Sequence, residues 1–172
     1  MTAKRPRTGA RIDARTPASQ ALTGLELQEL LARRLIASLA TLDAEGGIHL
    51  VPLWYMVRKH TLLFPTSSLS RKVKNLAQSS VATAMIHSAT AGPDLRGAMI
   101  TGPVEVLTGS EANRLNRMIH LRYMTPAGMR QSEVLDVLSH DDVTLRLQIE
   151  HVVTWKFRPG RTRHRSWSRP IG

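Results

Sequence analysis

Between Phe64 and Leu76 the chain reads Phe-Pro-Thr-Ser-Ser-Leu-Ser-Arg-Lys-Val-Lys-Asn-Leu, and it is here that its reactive side chains are most concentrated. An apolar run ends in Pro65, Thr66, Ser67 and Ser70, and the following segment opens on Arg71 and Lys72. The pattern predicts a strand running into a helix of basic first residues. Free amides and the positive end of a helix dipole favour an anion at such a junction. Arg71 would add a planar fork of donors, and Thr66, Ser67 and Ser70 further hydroxyls. The chemistry implied is phosphate binding without a Walker glycine loop. Residue types alone favour a plainer reading: Ser70 as an N-cap, with Arg71, Lys72 and Lys74 as a solvated face.

Other chemistries have less to stand on. Cysteine is absent, which excludes disulfides, thiolate metal sites and cysteine nucleophiles. His49, His60, His87, His120, His140, His151 and His164 show no close metal-ligand spacing, so ordinary surface or core roles are expected and no metal site. Neither a catalytic-serine elbow nor a dinucleotide-binding glycine fingerprint occurs. Trp54 and Trp155 are candidates for either core or cofactor stacking. Arg114, Arg117, Arg122 and Arg130, with Tyr123 among them, read as helix-surface charges or as a rim for an anionic substrate.

The elements that must position these groups are legible in outline. Thr23 followed by Glu26 is a capping box, which starts a helix that ends near Arg33 and Arg34. Residues 35–43 and 48–57 flank Gly46-Gly47 and predict a hairpin. Its second run is apolar on both alternating faces, so both need a cover. Arg58-Lys59-His60 reads as a turn, 61–66 as a strand, 70–78 as a short helix and 81–87 as a strand. After a loop at 91–94, residues 96–107 form a long strand with a bend at Gly102-Pro103. Residues 110–123 predict a helix with Leu115, Met118 and Ile119 on one stripe, and 130–139 a shorter one. Residues 145–149 and 152–157 close the pattern as strands. Six or seven short strands with a few helices imply a mainly β, antiparallel barrel with helical additions.

At 172 residues the chain has room for one domain with a real core. The net charge of +11 suggests nucleic acid until its distribution is considered. Lys4, Arg5, Arg7, Arg11 and Arg15 face only Asp13 near the start, and Lys156, Arg158, Arg161, Arg163, Arg165 and Arg169 have no acid among residues 151–172. The middle is nearly neutral, whereas a groove reader places charge on a folded face. Residues 1–20 are therefore read as a basic, flexible N-terminal tail, 21–158 as the folded domain and 159–172 as a basic C-terminal tail. Nucleic acid is not the expected partner. No apolar run approaches a membrane span and no secretory core is present near the start, so the expected compartment is the cytoplasm.

The order of elements, with Phe-x-Thr-x-x-x-Ser-Arg-Lys at residues 64–72, resembles the pyridoxamine 5'-phosphate oxidase-like family of FMN-binding split barrels, including its deazaflavin-using branch. The resemblance covers roughly residues 22–158. It implies a split β-barrel and a homodimer with the cofactor at the interface. The cofactor implied is FMN, or alternatively the deazaflavin coenzyme F-420. In the family the second strand runs along the ring system, which implies Leu50, Val51, Pro52, Leu53, Trp54 and Tyr55 beside it. The phosphate would be held by Pro65, Thr66, Ser70, Arg71 and Lys72. The long strand would contribute near Gly97, where the family uses glutamine, and Trp155 would come from the other subunit. The tail carries Arg163-His164 without the spacing of the family's Arg-x-His substrate motif, so a substrate other than pyridoxamine phosphate is expected. The implied activity is hydride transfer to or from a small organic substrate. The alternative is a noncatalytic flavin- or haem-binding protein.

Overall fold

Thr23 opens the first helix as its sequence requires. Its side chain accepts from the Glu26 amide at 3.2 Å while the Glu26 carboxylate accepts from the Thr23 amide at 2.8 Å, which completes the capping box of α1 (Gly24–Ala32). The chain is described by a computed structural model over residues 11–13, 19–88 and 95–157. The loop at 91–94 and the basic segment 159–172, with Arg163-His164, lie outside the described residues. Two short strands precede the helix, β1 (Arg11–Asp13) and β2 (Ser19–Gln20).

Strands β3 (Ala37–Leu42) and β4 (Ile48–Leu53) form the expected hairpin, closed at Asp43 and at Gly46, whose φ of +81° suits glycine. The second run does not continue to Val57 unbroken. It stops at Trp54-Tyr55, and β5 (Met56–Arg58) then turns into β6 (Thr61–Thr66). Helix α2 (Arg71–Gln78) leads to β7 (Val81–Ser88), and β8 (Arg96–Leu107) follows. Helix α3 (Gly109–Tyr123), a 3-10 turn (Gly128–Arg130) and α4 (Ser132–Ser139) precede β9 (Val143–Gln148) and β10 (His151–Phe157).

The ladder runs β4-β3-β7-β8-β9-β6-β5, antiparallel throughout, with β10 beside the first part of β8. This is the curled antiparallel half-barrel with a few helices that the split-barrel reading anticipated. Its bend falls at Gly102-Pro103, where β8 leaves its pairing with β7 and β10 and takes β9 as neighbour. A Cβ at Gly102 would lie 2.0 Å from the Gln148 carbonyl oxygen, so only glycine admits the crossing. At the other end, β4 and β5 are consecutive in the chain yet unpaired, because Trp54-Tyr55 carries it from one sheet to the other. The sheet stays split there.

Small and branched side chains fill the concave face: Ala37, Leu39, Ala84, Ile86, Ala98, Ile100 and Val152 meet Leu62, Phe64, Leu145 and Leu147 of the second sheet, with Tyr55 among them. A second cluster lies under α3, where Ala112, Leu115 and Ile119 pack on Leu63 and Leu107. Met118 is 41% exposed and does not belong to the expected stripe. One position before Ile119, it is turned about 100° from the packed face. The convex face is less well covered. Leu42, Ile48, Leu50, Val81 and Met99 are exposed on it.

The boundary expected at residue 21 is also displaced. β1 lies parallel and β2 antiparallel on β10, so residues 11–13 and 19–20 extend the sheet rather than forming part of a free tail. The physical reason is the outer edge of β10, whose backbone groups need partners. Nearby, the Leu22 amide donates to Thr154 Oγ1 and Lys156 pairs with Glu26 at 2.7 Å.

Candidate functional site

The split between β4 and β6 holds a cavity of about 520 Å3, lined by Ile36, Pro52, Leu53, Trp54, Pro65, Thr66, Ser67, Ser70, Lys72, Leu138 and Asp141. Its geometry follows from the ladder. β5 ends its pairing at Leu63, so among the described residues the edge of β6 from Phe64 to Thr66 has no strand neighbour on that side. Pro65, which cannot donate, sits on that stretch. Across the gap, Pro52, Leu53 and Trp54 leave the first sheet and supply an apolar wall.

Trp54 is fixed by packing. Its ring stacks on Tyr123 with centroids 5.1 Å apart and meets His120 edge-on at 6.1 Å. The Tyr123 hydroxyl donates to Leu35 O at 2.6 Å and accepts from the Tyr55 amide at 3.3 Å, which satisfies backbone at the strand break. Arg122 donates to the Ala32 and Arg33 carbonyls, both at 2.7 Å, and so caps the end of α1.

The polar corner is built on α2. Ser70 stands at its N-cap in an extended conformation but makes no capping bond through its side chain. Lys72, Asn75 and Leu76 are its buried residues, spaced for one helix face. Lys72 is only 9% exposed, and its Nζ donates to Thr66 Oγ1 at 2.8 Å. Thr66 in turn lies 3.4 Å from Ser70 Oγ. Burial pushes the Lys72 ammonium below its usual pKa, and the Asp141 carboxylate opposes that shift. Asp141 is itself held by His120 Nε2 at 2.9 Å. Its neighbour Asp142 accepts from the Ser68 amide at 2.6 Å and the Ser68 hydroxyl at 2.7 Å. These bonds keep the Asp142 carboxyl below its ordinary pKa and tie the loop before α2 to the end of α4.

Of the residues anticipated from the sequence, the fold brings Pro52, Leu53, Trp54, Pro65, Thr66, Ser70 and Lys72 into one cavity. Six do not line it. Leu50 is 60% exposed on the convex face, and Val51 is half-buried on β4. Tyr55 turns inward and is fully buried, with its hydroxyl donating to Leu31 O, and burial raises its pKa. Arg71 points outward, 63% exposed, and pairs with Asp43 at 2.8 Å. The two basic residues are adjacent, so a helix separates them by about 100°, and only one can share the face of Leu76. Gly97 and Trp155 are opposite each other across β8 and β10, several strands from Pro52. A Cβ on Gly97 would lie 2.2 Å from the Trp155 ring, so the glycine gives the indole its bed.

Ser67, expected among the anion-binding hydroxyls, lines the cavity as well, and Tyr123, read only as part of an arginine rim, supports it; Ile36, Leu138, Asp141 and His120 were not anticipated there. The available signal was Leu76: counting back one turn places Lys72, not Arg71, on the packed face. Asp141 and His120 gave no local sign, since they meet only through the packing of α3 on β9. Among the described residues no group of three or more His, Asp or Glu is placed to hold a metal ion. No helix among them is long and apolar enough to cross a membrane.

Solved structures share this fold. The chain is similar to the conserved hypothetical protein Rv2991 from Mycobacterium tuberculosis, with 22% identity and a TM-score of 0.67 over 92% of this chain and 96% of that one. It is similar to an F420 reductase, with 17% identity and a TM-score of 0.59 over 73% and 94%. HutZ, the haem storage protein of Vibrio cholerae, matches with 18% identity and a TM-score of 0.61 over 78% and 96%. No curated protein matches the chain. The family model described as pyridoxamine 5'-phosphate oxidase matches residues 25–156, which run from α1 into β10 and include every residue of the cavity. The chain belongs to the pyridoxamine 5'-phosphate oxidase family.

Proposed function

We propose that the protein is a flavin- or deazaflavin-dependent oxidoreductase that holds a phosphorylated tricyclic cofactor in the cavity between β4 and β6. The observation that carries this reading is Lys72, a buried cation aimed at a hydroxyl corner with no carboxylate at ion-pair distance among the described residues. A buried ammonium is costly unless an anion accompanies it. A cofactor phosphate, held by Lys72, Thr66, Ser67 and Ser70, supplies that anion. The cavity volume is in the range of about 300–1,000 Å3 usual for small-molecule sites. Pro52, Leu53 and Trp54 offer an apolar wall for a ring, and Tyr123 keeps the indole from swinging into it.

FMN and coenzyme F-420 share the phosphate and the tricyclic plane, and either fits this division of labour. When bound, such a ring supplies a two-electron hydride donor and acceptor. The chain's own residues orient it and shield one face from water. A second copy completes the shield: Pro52 both lines the cavity and stands with Leu50, Ile48 and Met99 on the exposed convex face. A symmetric dimer through that face would close the open side and bring Trp155 of the partner subunit toward the ring.

Titration with FMN, riboflavin and coenzyme F-420, followed by fluorescence, tests the reading. FMN or F-420 should bind, and riboflavin, which lacks the phosphate, should bind at least tenfold more weakly. Equal affinity for FMN and riboflavin would overturn the phosphate corner. A purified protein that took haem, seen as an intense Soret band, and neither flavin would favour storage over redox chemistry. Sedimentation at micromolar concentration should give a dimer.

A further inference from the structure

A second cavity, of about 350 Å3, opens at the other end of β6, lined by Arg58, Lys59, Thr61, Leu63, Glu111, Arg114, Leu115, Arg146 and Gln148. Thr61 is five residues from Thr66 along an extended strand, roughly 16 Å away, so the two cavities are separate. We infer that it is a binding site for a small organic anion bearing two or more negative charges.

The charge balance of the walls points there. Arg146 is already engaged, by Glu105 and, at 3.8 Å, by Glu111. Arg58, Lys59 and Arg114 have no carboxylate at ion-pair distance among the described residues, so three cations line a cavity whose one acid, Glu111, stands beside Arg146. Thr61 and Gln148 add neutral polar groups at the wall, and the buried side chains of Leu63 and Leu115 give a floor for an apolar body. A ligand with a compact carbon frame and clustered phosphate or carboxylate groups matches both features.

The backbone that presents two of the cations supplies a separate observation. Lys59 and His60 have φ of 45° and 62°, the left-handed region, in the tight turn between β5 and β6. Such turns favour Asn-Gly, because a side chain costs energy there. Arg58, Lys59 and His60 are all exposed, so no core contact requires these residue types. The strained turn does place Arg58 and Lys59 at the mouth of the cavity.

Calorimetric titration of the full-length protein with pyrophosphate and with citrate tests the assignment and separates phosphate from carboxylate preference. At least one should bind the native protein. R58A/R114A should weaken it about tenfold or more, since each tenfold corresponds to about 1.4 kcal/mol. Glu111→Gln, which removes the only acid of the lining, should tighten binding severalfold. Lys72→Ala should leave the affinity unchanged, which excludes the first cavity. Arg117→Ala, exposed on the same helix but outside the cavity, should also be neutral. Absence of binding by both probes, loss on Lys72→Ala, equal losses on Arg117→Ala and R58A/R114A, or indifference to R58A/R114A would each overturn the proposal.

Discussion

Helices α1 and α2 both begin at a hydroxyl N-cap, Thr23 in one and Ser70 in the other, and the two caps are used in opposite ways. Thr23 and Glu26 satisfy each other, and Lys156 from β10 locks the carboxylate in place. That helix start is chemically closed. Ser70 has the same extended backbone but no bond from its side chain to the helix, and no acid stands in the first turn of α2. Instead a lysine is buried two residues past the cap, against a threonine hydroxyl. A helix start completed by its own residues is structural, and one that keeps donors and a buried cation in reserve is built for an anion.

The largest expected effect breaks this contrast at α2. Lys72→Met should cost about ten- to a hundredfold in FMN or F-420 affinity, the value of a charge-assisted contact of roughly 1.5–3 kcal/mol, while riboflavin binding barely changes. The same variant should melt no lower than the native protein without cofactor, because a desolvated cation is replaced by an apolar chain. The sign of the pH dependence agrees. Lys72 titrates lower in the folded chain than its ordinary 10.5, so the unfolded chain holds the extra proton and native stability should rise as pH climbs toward 10.5. In Lys72→Met that rise should be smaller. Tight FMN binding by the variant would show that the corner is structural.

Exchanging the caps sharpens the comparison next. Thr23→Ala should lower stability by about 1 kcal/mol in urea unfolding and leave cofactor affinity alone. Ser70→Ala should show the reverse, with stability within about 0.5 kcal/mol and affinity reduced severalfold. Both variants losing only stability would erase the distinction.

A smaller effect concerns the acid side. Hydrogen bonds from Lys156 and then Thr23 hold the Glu26 carboxyl down to about 2, against an ordinary 4.5. A depressed carboxylate stabilises the fold above 4.5, and that contribution is lost as pH falls toward 2. Chemical denaturation of Lys156→Gln should therefore differ from the native protein above 4.5 and converge with it below. The smallest effect is expected for Arg71→Ala, whose guanidinium is solvated and paired with Asp43. Less than a threefold change in FMN affinity by fluorescence titration would fit its outward position.

The sequence by itself determined what depends on near neighbours. The capping box at Thr23, the glycine hairpin at Asp43–Gly47, the strand-to-helix corner at Thr66–Lys72 and the bend at Gly102-Pro103 follow from local backbone preference and spacing, and the structure contains each. Family resemblance carried the barrel and most of the cavity wall. Tertiary structure decided which of two adjacent basic residues turns inward, because burial of Leu76 fixes the rotation of α2 and takes Lys72 with it. It also decided that Tyr55 belongs to the core and Trp54 to the cavity, since the chain crosses between sheets at that pair. Asp141, His120 and Tyr123 reach the site from α3 and the loop after α4, far along the chain from β4 and β6. Contacts between segments so distant arise only when packing brings their surfaces together, and no local pattern of residues records them.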